Sequence, residues 1–360
     1  MKKTRLLAIA ATMAMLTNIC IVQANDAVYF ANGNQLVPIH ETDISVKKEV
    51  LTISLCDDGM ARVEVDYEFL NKGKAKTVKI GFEAMKPYNT DDALNPAGIH
   101  PYIKDFTVVM NGQKLSYSNA VVEPGVLDKP YTRPKNNRPE EEEEFEQYAY
   151  AYCFDATFRE GINRVRHTYS YQMSFGVGRT FEVPYWLKPA ARWQGGVIGD
   201  FTLRIRAPKT AKHFVMADSL FTAHEFKVTE GKGKIRHSQY GWSPKLVEVA
   251  LRDGTVEWHA QNFRPSDDIT IESADAYISF DQNYPVGWFY DRSDRFMVWE
   301  REIPDELARN LPYASRGYVF NKKELQKKFE QFWWYMPDPT WKAATDDFTP
   351  REWRLIKEKK

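Results

Sequence analysis

Val63-Glu64-Val65-Asp66-Tyr67-Glu68-Phe69 decides the fold class. Apolar residues take every second position and acids fill the gaps. A period of two puts the apolar set on one face of a strand and the carboxylates on the other. Upstream, Ile44 and Val46, then Leu51, Ile53 and Leu55, alternate in two stretches, and Asp57-Asp58-Gly59 supplies a turn. Downstream, Asn71-Lys72-Gly73 turns the chain, and Val78, Ile80 and Phe82 resume the alternation. This is an antiparallel meander, the start of a sandwich.

The same signals continue along the chain. Residues 106–110 and 114–117 flank Asn111-Gly112, a pair suited to a type I′ hairpin turn. Residues 148–158 are aromatic and strand-like, Arg159-Glu160-Gly161 turns, and Val165, His167, Tyr169, Tyr171 and Met173 alternate with polar residues. Further strands are predicted at 201–206, 246–251, 255–260 and 277–280, with Asp253-Gly254 as the hairpin turn of one pair. The proline-rich segment 124–139 and the acidic run 140–144 read as a long solvated loop. The prediction is a mainly β chain, an antiparallel β-sandwich-like region at 25–300 forming one large or two smaller units. Any subdivision would fall near 125–147 or 190–200.

After about Glu300 the alternation stops. Asn321-Lys322-Lys323-Glu324 reads as a capping-box variant, followed by Leu325, Phe329 and Phe332 at helical spacing. Thr349-Pro350-Arg351-Glu352 is a fuller capping box with proline at the first helical position, and Trp353 and Ile356 continue an apolar stripe. The segment 303–360 is therefore a small α-helical domain. It is near the lower size limit for independent folding, which favours packing on the β region.

The N-terminus carries an export signal. Lys2, Lys3 and Arg5 precede the uncharged apolar stretch 6–16, and Val22-Gln23-Ala24 fits a signal-peptidase site, so cleavage is placed before Asn25. The stretch is too short for a spanning helix, and no later segment is long enough. Ile19 before Cys20 argues against lipidation. The full chain has 49 basic and 49 acidic side chains. Without residues 1–24 the count is 46 against 49, a net charge of −3, which argues against a general nucleic-acid binder. Cleavage leaves Cys56 and Cys153, which could pair in an oxidising periplasm or remain two buried thiols.

Signatures of catalysis are missing. The chain has no His-Glu-x-x-His, Gly-x-Ser-x-Gly or Cys-x-x-Cys. Gly176-Val177-Gly178 lacks the third glycine of a dinucleotide loop, and Gly231-Lys232-Gly233-Lys234 lacks the end of a phosphate loop. Glu257 and His259 share a strand face and could form an acid–base pair, although an exposed polar face explains them more simply. His213, His224 and His237 are too far apart in sequence to define a metal site. Trp186, Trp193 and Trp242 lie near glycine and proline, where they either stack on sugars or pack a sandwich edge. No catalytic residue, metal site or cofactor is assigned.

Arg309-Asn310-Leu311-Pro312-Tyr313-Ala314-Ser315-Arg316-Gly317-Tyr318-Val319-Phe320, then Glu324-Leu325-Gln326, Phe329, Trp334-Tyr335 and Pro337, resembles the YARHG domain, a small module of exported bacterial proteins. The resemblance covers roughly 303–360 and implies an extracellular ligand such as cell wall. Its candidate ligand residues here are Arg309, Asn310, Tyr313, Arg316 and Trp334. Ser315 and Arg316 stand where the family has Arg-His, and Pro312 falls in a helix interior, where proline kinks or breaks a helix. Gly317 looks like a left-handed C′ residue, and Tyr313, Phe320, Phe329 and Trp334 look like core. Asn25-Asp26, Gly33, Asp43-Ile44-Ser45 and residues 65–71 resemble an uncharacterised exported bacterial domain family. Together these readings predict an exported, non-catalytic binding or scaffold protein in the periplasm or at the cell surface. Its partner would be a cell-wall glycan or an envelope protein. The alternative is an envelope hydrolase with an unrecognised carboxylate site.

Overall fold

A computed structural model describes residues 43–85, 95, 97–122, 149–176, 179–187, 190, 192–221, 225–238, 245–274 and 305–358, with strand segments at 33–34, 37–38, 288–291 and 299–302. The predicted signal, the 124–144 loop, the 277–280 strand, His224 and Trp242 lie outside the described residues. In chain order the strands are β1 (Gly33–Asn34), β2 (Val37–Pro38), β3 (Ser45–Leu55), β4 (Met60–Asn71), β5 (Lys76–Met85), β6 (Ile103–Met110), β7 (Gln113–Lys114), β8 (Ser118–Val122) and β9 (Ala149–Phe158). They continue as β10 (Gly161–Gln172), β11 (Ser174–Gly176), β12 (Arg179–Trp186), β13 (Ile198–Ala207), β14 (Lys212–Ala217), β15 (Lys227–Ser238), β16 (Leu246–Phe263), β17 (Ile269–Ser273), β18 (Trp288–Asp291) and β19 (Trp299–Glu302). Helices α1 (Asp305–Ser315), α2 (Lys323–Glu330) and α3 (Pro350–Glu358) end the chain.

Thirteen strands join in one mixed sheet along the path β1-β12-β17-β14-β16-β13-β3-β4-β10-β6-β7, with β11 on β12 and β15 on β16. A second sheet runs β2-β5-β9-β8, and β18 pairs with β19. The protein is thus mainly β with a small helical part at the C-terminus. The large sheet is mostly antiparallel, but β3 and β13 run parallel with Leu51 opposite Leu203. These two strands are far apart in sequence, so no hairpin fixes their sense.

Period-two patterning explains the packing. Val63, Val65, Tyr67 and Phe69 of β4 are buried, as are Val165, His167, Tyr169 and Tyr171 of β10. They meet Phe82 and Phe158 of the second sheet: Phe69 lies edge-on to Phe158 at 5.5 Å, and Phe82 sits 4.8 Å from Tyr169. One apolar core spans both sheets. His167 is fully buried within it, stacked beside Tyr67 and Tyr169 at 5.7 and 5.9 Å. Among the described residues neither ring nitrogen has a hydrogen-bond partner. The predicted turn at Asn111-Gly112 is present, both residues having the positive φ that a type I′ turn requires, 50° and 84°.

One predicted hairpin is absent. Residues 246–263 form the single long strand β16, and Asp253-Gly254 is an irregularity within it. The cause is close backbone contact at an irregularity in its antiparallel pairing with β15. A β-carbon on Gly231 would lie 1.9 Å from the Asp253 carbonyl oxygen, and one on Gly254 would lie 2.3 Å from that of Glu230. Two facing glycines let the backbones touch, so the chain bends without turning back. Gly231→Ala, also at φ 69°, is expected to cost about 1–3 kcal/mol. Urea unfolding would check this; an unchanged midpoint would show that the close contact tolerates a side chain.

Candidate functional site

The C-terminal helices build a second core from Leu307, Leu311, Phe320, Leu325, Phe329, Trp334 and Tyr335, which also takes in Ala211 and Ala250 of the β region. Pro312 does not break α1, which runs through it from Asp305 to Ser315. The helix ends in a Schellman pattern: Gly317, at φ 87°, donates its N–H to the Ala314 carbonyl, and Tyr318 donates to that of Tyr313. At α2 the expected Asn321 cap is replaced by Lys322, which makes no side-chain cap bond. At α3 the expected capping box is complete, with Glu352 N–H to Thr349 Oγ1 at 3.2 Å and Thr349 N–H to Glu352 Oε2 at 2.8 Å.

The five candidate ligand residues separate. Arg316 is 4 % exposed and holds Glu352 in a bidentate pair at 2.7 and 2.9 Å. Its remaining terminal donors reach the Pro312 and Asp347 carbonyls, and its guanidinium lies 4.8 Å from the Phe348 ring. Arg316 therefore ties α1 to α3 through its own hydrogen bonds. Trp334 is buried in the core, stacked on Phe332 at 5.6 Å. Tyr313, half-buried, packs on Phe348 at 4.7 Å. Asn310 donates to the Glu306 carbonyl within α1, and Arg309 is half-buried on the same helix.

The module sits on a row of cations. Lys232, Lys234 and Arg236 follow at every second position of β15, and Arg252 of β16 lies beside them. Lys232 pairs with Asp338 at 3.0 Å. Lys234 donates to the Trp333 and Tyr335 carbonyls at 3.0 and 3.1 Å. Arg236 lies 4.2 Å over the Trp333 ring and donates to Glu248 at 2.9 Å. Arg252 donates to the Arg316 and Met336 carbonyls. Glu248, fully buried, also meets His213 Nε2 at 2.7 Å. Hydrogen bonds from Thr340 and then Lys232 hold the Asp338 carboxyl well below its usual range, and burial lowers the Lys234 ammonium.

Cys56 and Cys153 are not bridged. Cys56 follows β3 in the large sheet and contacts the Arg62 guanidinium, whereas Cys153 sits mid-strand in β9 of the second sheet, opposite Gly81 and Ser118. Burial, opposed by Arg62, pushes the Cys56 thiol up. Glu257 and His259 do not act as a pair: Glu257 holds Arg204 at 2.7 Å and His259 holds Asp200 at 2.8 Å. Trp193 is core, 4.4 Å from Phe69. Among the described residues no three His, Cys, Asp or Glu side chains converge as metal ligands.

A concave feature lies elsewhere, on the outer face of β3, β4, β6 and β10. It is an open depression of about 270 Å³, with Lys48, Asp66, Glu68, Arg164 and Arg166 around Val50 and Val109. Register explains the charges. Lys48 faces Glu68, Glu68 faces Arg164, and Asp66 faces Arg166, so basic and acidic rows alternate across the strands. Burial raises the Asp66 carboxyl, with Arg166 opposing.

A family model described as a domain of unknown function, DUF4424, matches residues 24–123 and 123–217, more than half of the chain. The chain belongs to the DUF4424 family. Residues 306–360 of this DUF4424 protein match the YARHG domain. No curated protein matches it. A Legionella pneumophila structure, named as a "putative nutrient binding protein", shares its fold at 17 % identity and a TM-score of 0.51, covering 93 % of this chain and 100 % of that one. An M1 zinc metallopeptidase from Deinococcus radiodurans is far less similar, at 8 % identity and a TM-score of 0.25. The match covers 68 % of this chain and under half of the peptidase, 46 %. Baculovirus P35 has 11 % identity and a TM-score of 0.26, covering 64 % and 98 %.

In the DUF4424 protein the strands that carry the depression are legible in the sequence, whereas the depression itself is not. Its signal was the acid-alternating stretch 64–68, readable only with the partner strand in register. The cation row 232–236 was visible as Lys-x-Lys-x-Arg, although nothing local assigned it a partner about 100 residues away. Among the described residues, no helix is long and apolar enough to cross a membrane.

Proposed function

We propose that the protein is exported and acts as a non-catalytic binding or scaffold protein of the cell envelope. The proposed layout is a signal at 1–24, a β body at 25–300 and a helical module at 303–360. The observation that carries this reading is the charged depression on the outer face of the large sheet. It is open to solvent, and its floor and rim stand on four hydrogen-bonded strands. The helical module supports the reading by elimination, since its arginine and tryptophan are consumed by its own fold. It then serves as a cap on the body and not as a separate ligand reader. The leader Lys2, Lys3, Arg5 and 6–16 supports export. The name carried by the Legionella protein agrees with a binding role. The partner is a cell-wall component or an envelope protein. Purified protein incubated with isolated envelope and peptidoglycan should be retained above an unrelated exported control. Retention equal to the control would remove the envelope-binding reading.

A further inference from the structure

Most charges on the outer face of the large sheet are matched. Arg166 meets Glu64, and Arg204 meets Glu257 at 2.7 Å. The depression departs from this pattern at two points. The first is Arg164. Its Nε donates to Glu68 Oε1 at 3.1 Å, and its backbone N–H donates to Asn111 Oδ1 at 2.9 Å. Its carbonyl accepts from the Asn111 N–H at 2.8 Å, and Asn111 in turn donates to Asn163. The stem is therefore pinned at the hairpin turn. Among the described residues neither Nη has a partner, and the side chain is 78 % exposed. Lys48, on the same rim, comes only within 3.9 Å of Asp200. The second point is Asp66, whose nearest cation is Arg166 at 3.9 Å, beyond hydrogen-bond reach.

Arg164 pairs in register with Glu68, and Asp66 pairs with Arg166, so Arg164 and Asp66 are diagonal neighbours. Such neighbours stand about 7–8 Å apart. A long side chain could span that gap, but the Arg164 guanidinium is turned to Glu68 and Asp66 lies nearest Arg166, so the two do not pair and the space between them suits a small molecule with one group hydrogen-bonded at each end. Between them Val50 and Val109 offer apolar floor. We infer that the depression binds a small zwitterion, an amino acid or short peptide with both termini free, its carboxylate on the Arg164 Nη pair beside Lys48 and its amine on Asp66. A planar guanidinium already held through Nε presents its remaining edge to a carboxylate in bidentate geometry.

This inference rests on the binding reading above. Isothermal titration with alanyl-alanine, its N-acetylated form and its C-amidated form tests it on the purified protein. The free dipeptide should bind. Each blocked form, and the free dipeptide on Arg164→Gln or Asp66→Asn, should bind at least about tenfold more weakly, the loss expected for one charged hydrogen-bonding arm. Both side chains are exposed, so the variants should keep the parent melting temperature, and a changed melt would be read from the blocked dipeptides on the parent instead. No binding by the free dipeptide, or equal binding by a blocked form, overturns the assignment. If envelope retention persists while the dipeptide gives no heat, the zwitterion assignment falls and the binding reading stands. If both fail, both fall.

Discussion

Glu352→Ala should release the C-terminal helix from the module and cost about 3–5 kcal/mol, the usual effect of removing one partner of a buried ion pair. Arg316 would be left 4 % exposed with its bidentate acceptor gone. The same carboxylate closes the capping box of α3, so a further loss of about 1 kcal/mol is expected from helix initiation. Trp353 reports the event, because it packs 5.2 Å from Phe348, over which Arg316 lies. Urea unfolding followed by tryptophan fluorescence, together with limited proteolysis after Phe348, would measure it. The double change Arg316→Met with Glu352→Leu should recover most of the loss, since no charge is then stranded. A single variant within 1 kcal/mol of the parent would show that the pair is not buried in solution.

His167 gives the second large effect, through pH. Burial alone lowers its pKa to about 3, whereas an unfolded histidine titrates near 6.5. Below about pH 6.5 the unfolded chain takes up the proton and the folded chain does not. The stability contributed by the neutral ring is complete above that pH and is lost as pH falls toward 3, at about 1.4 kcal/mol per unit. Between pH 7 and pH 5 the expected loss is about 2 kcal/mol. His167→Phe fits the aromatic surroundings of Tyr67, Phe82, Phe106 and Tyr169 and should flatten this dependence. Chemical denaturation of parent and variant at the two pH values isolates the residue, because other titrating groups cancel in the difference. Equal slopes would mean that the imidazole reaches water in the folded state.

Much of the β architecture was legible because burial imposes a period. The alternation at Val63 to Phe69 and Val165 to Met173 marks buried faces directly, and Asn111-Gly112 marks a turn by its own backbone needs. The box at Thr349 and Glu352 is equally local. Errors arose where distant segments decide the outcome. Asp253-Gly254 has the chemistry of a hairpin turn, yet contact with Gly231 keeps β16 running. Asn321 has the chemistry of a cap, but α2 starts one residue later. Arg316 looked available because its carboxylate partner lies 36 residues on. The depression needed Arg164 beside Glu68, a pairing between residues 96 positions apart.

The cation row on β15 and β16 has a consequence for how this protein can change over generations. Lys234 and Arg252 grip carbonyl oxygens of residues 316, 333, 335 and 336, and a carbonyl is present whatever the side chain. Most mutations in the turn 331–338 therefore leave these grips untouched, Trp333 and Asp338 excepted. Insertions and deletions do not share that immunity. One residue more or fewer just after Phe332 would move the carbonyls of 333, 335 and 336 off their donors together. The joint should tolerate drift in spelling while keeping its length fixed.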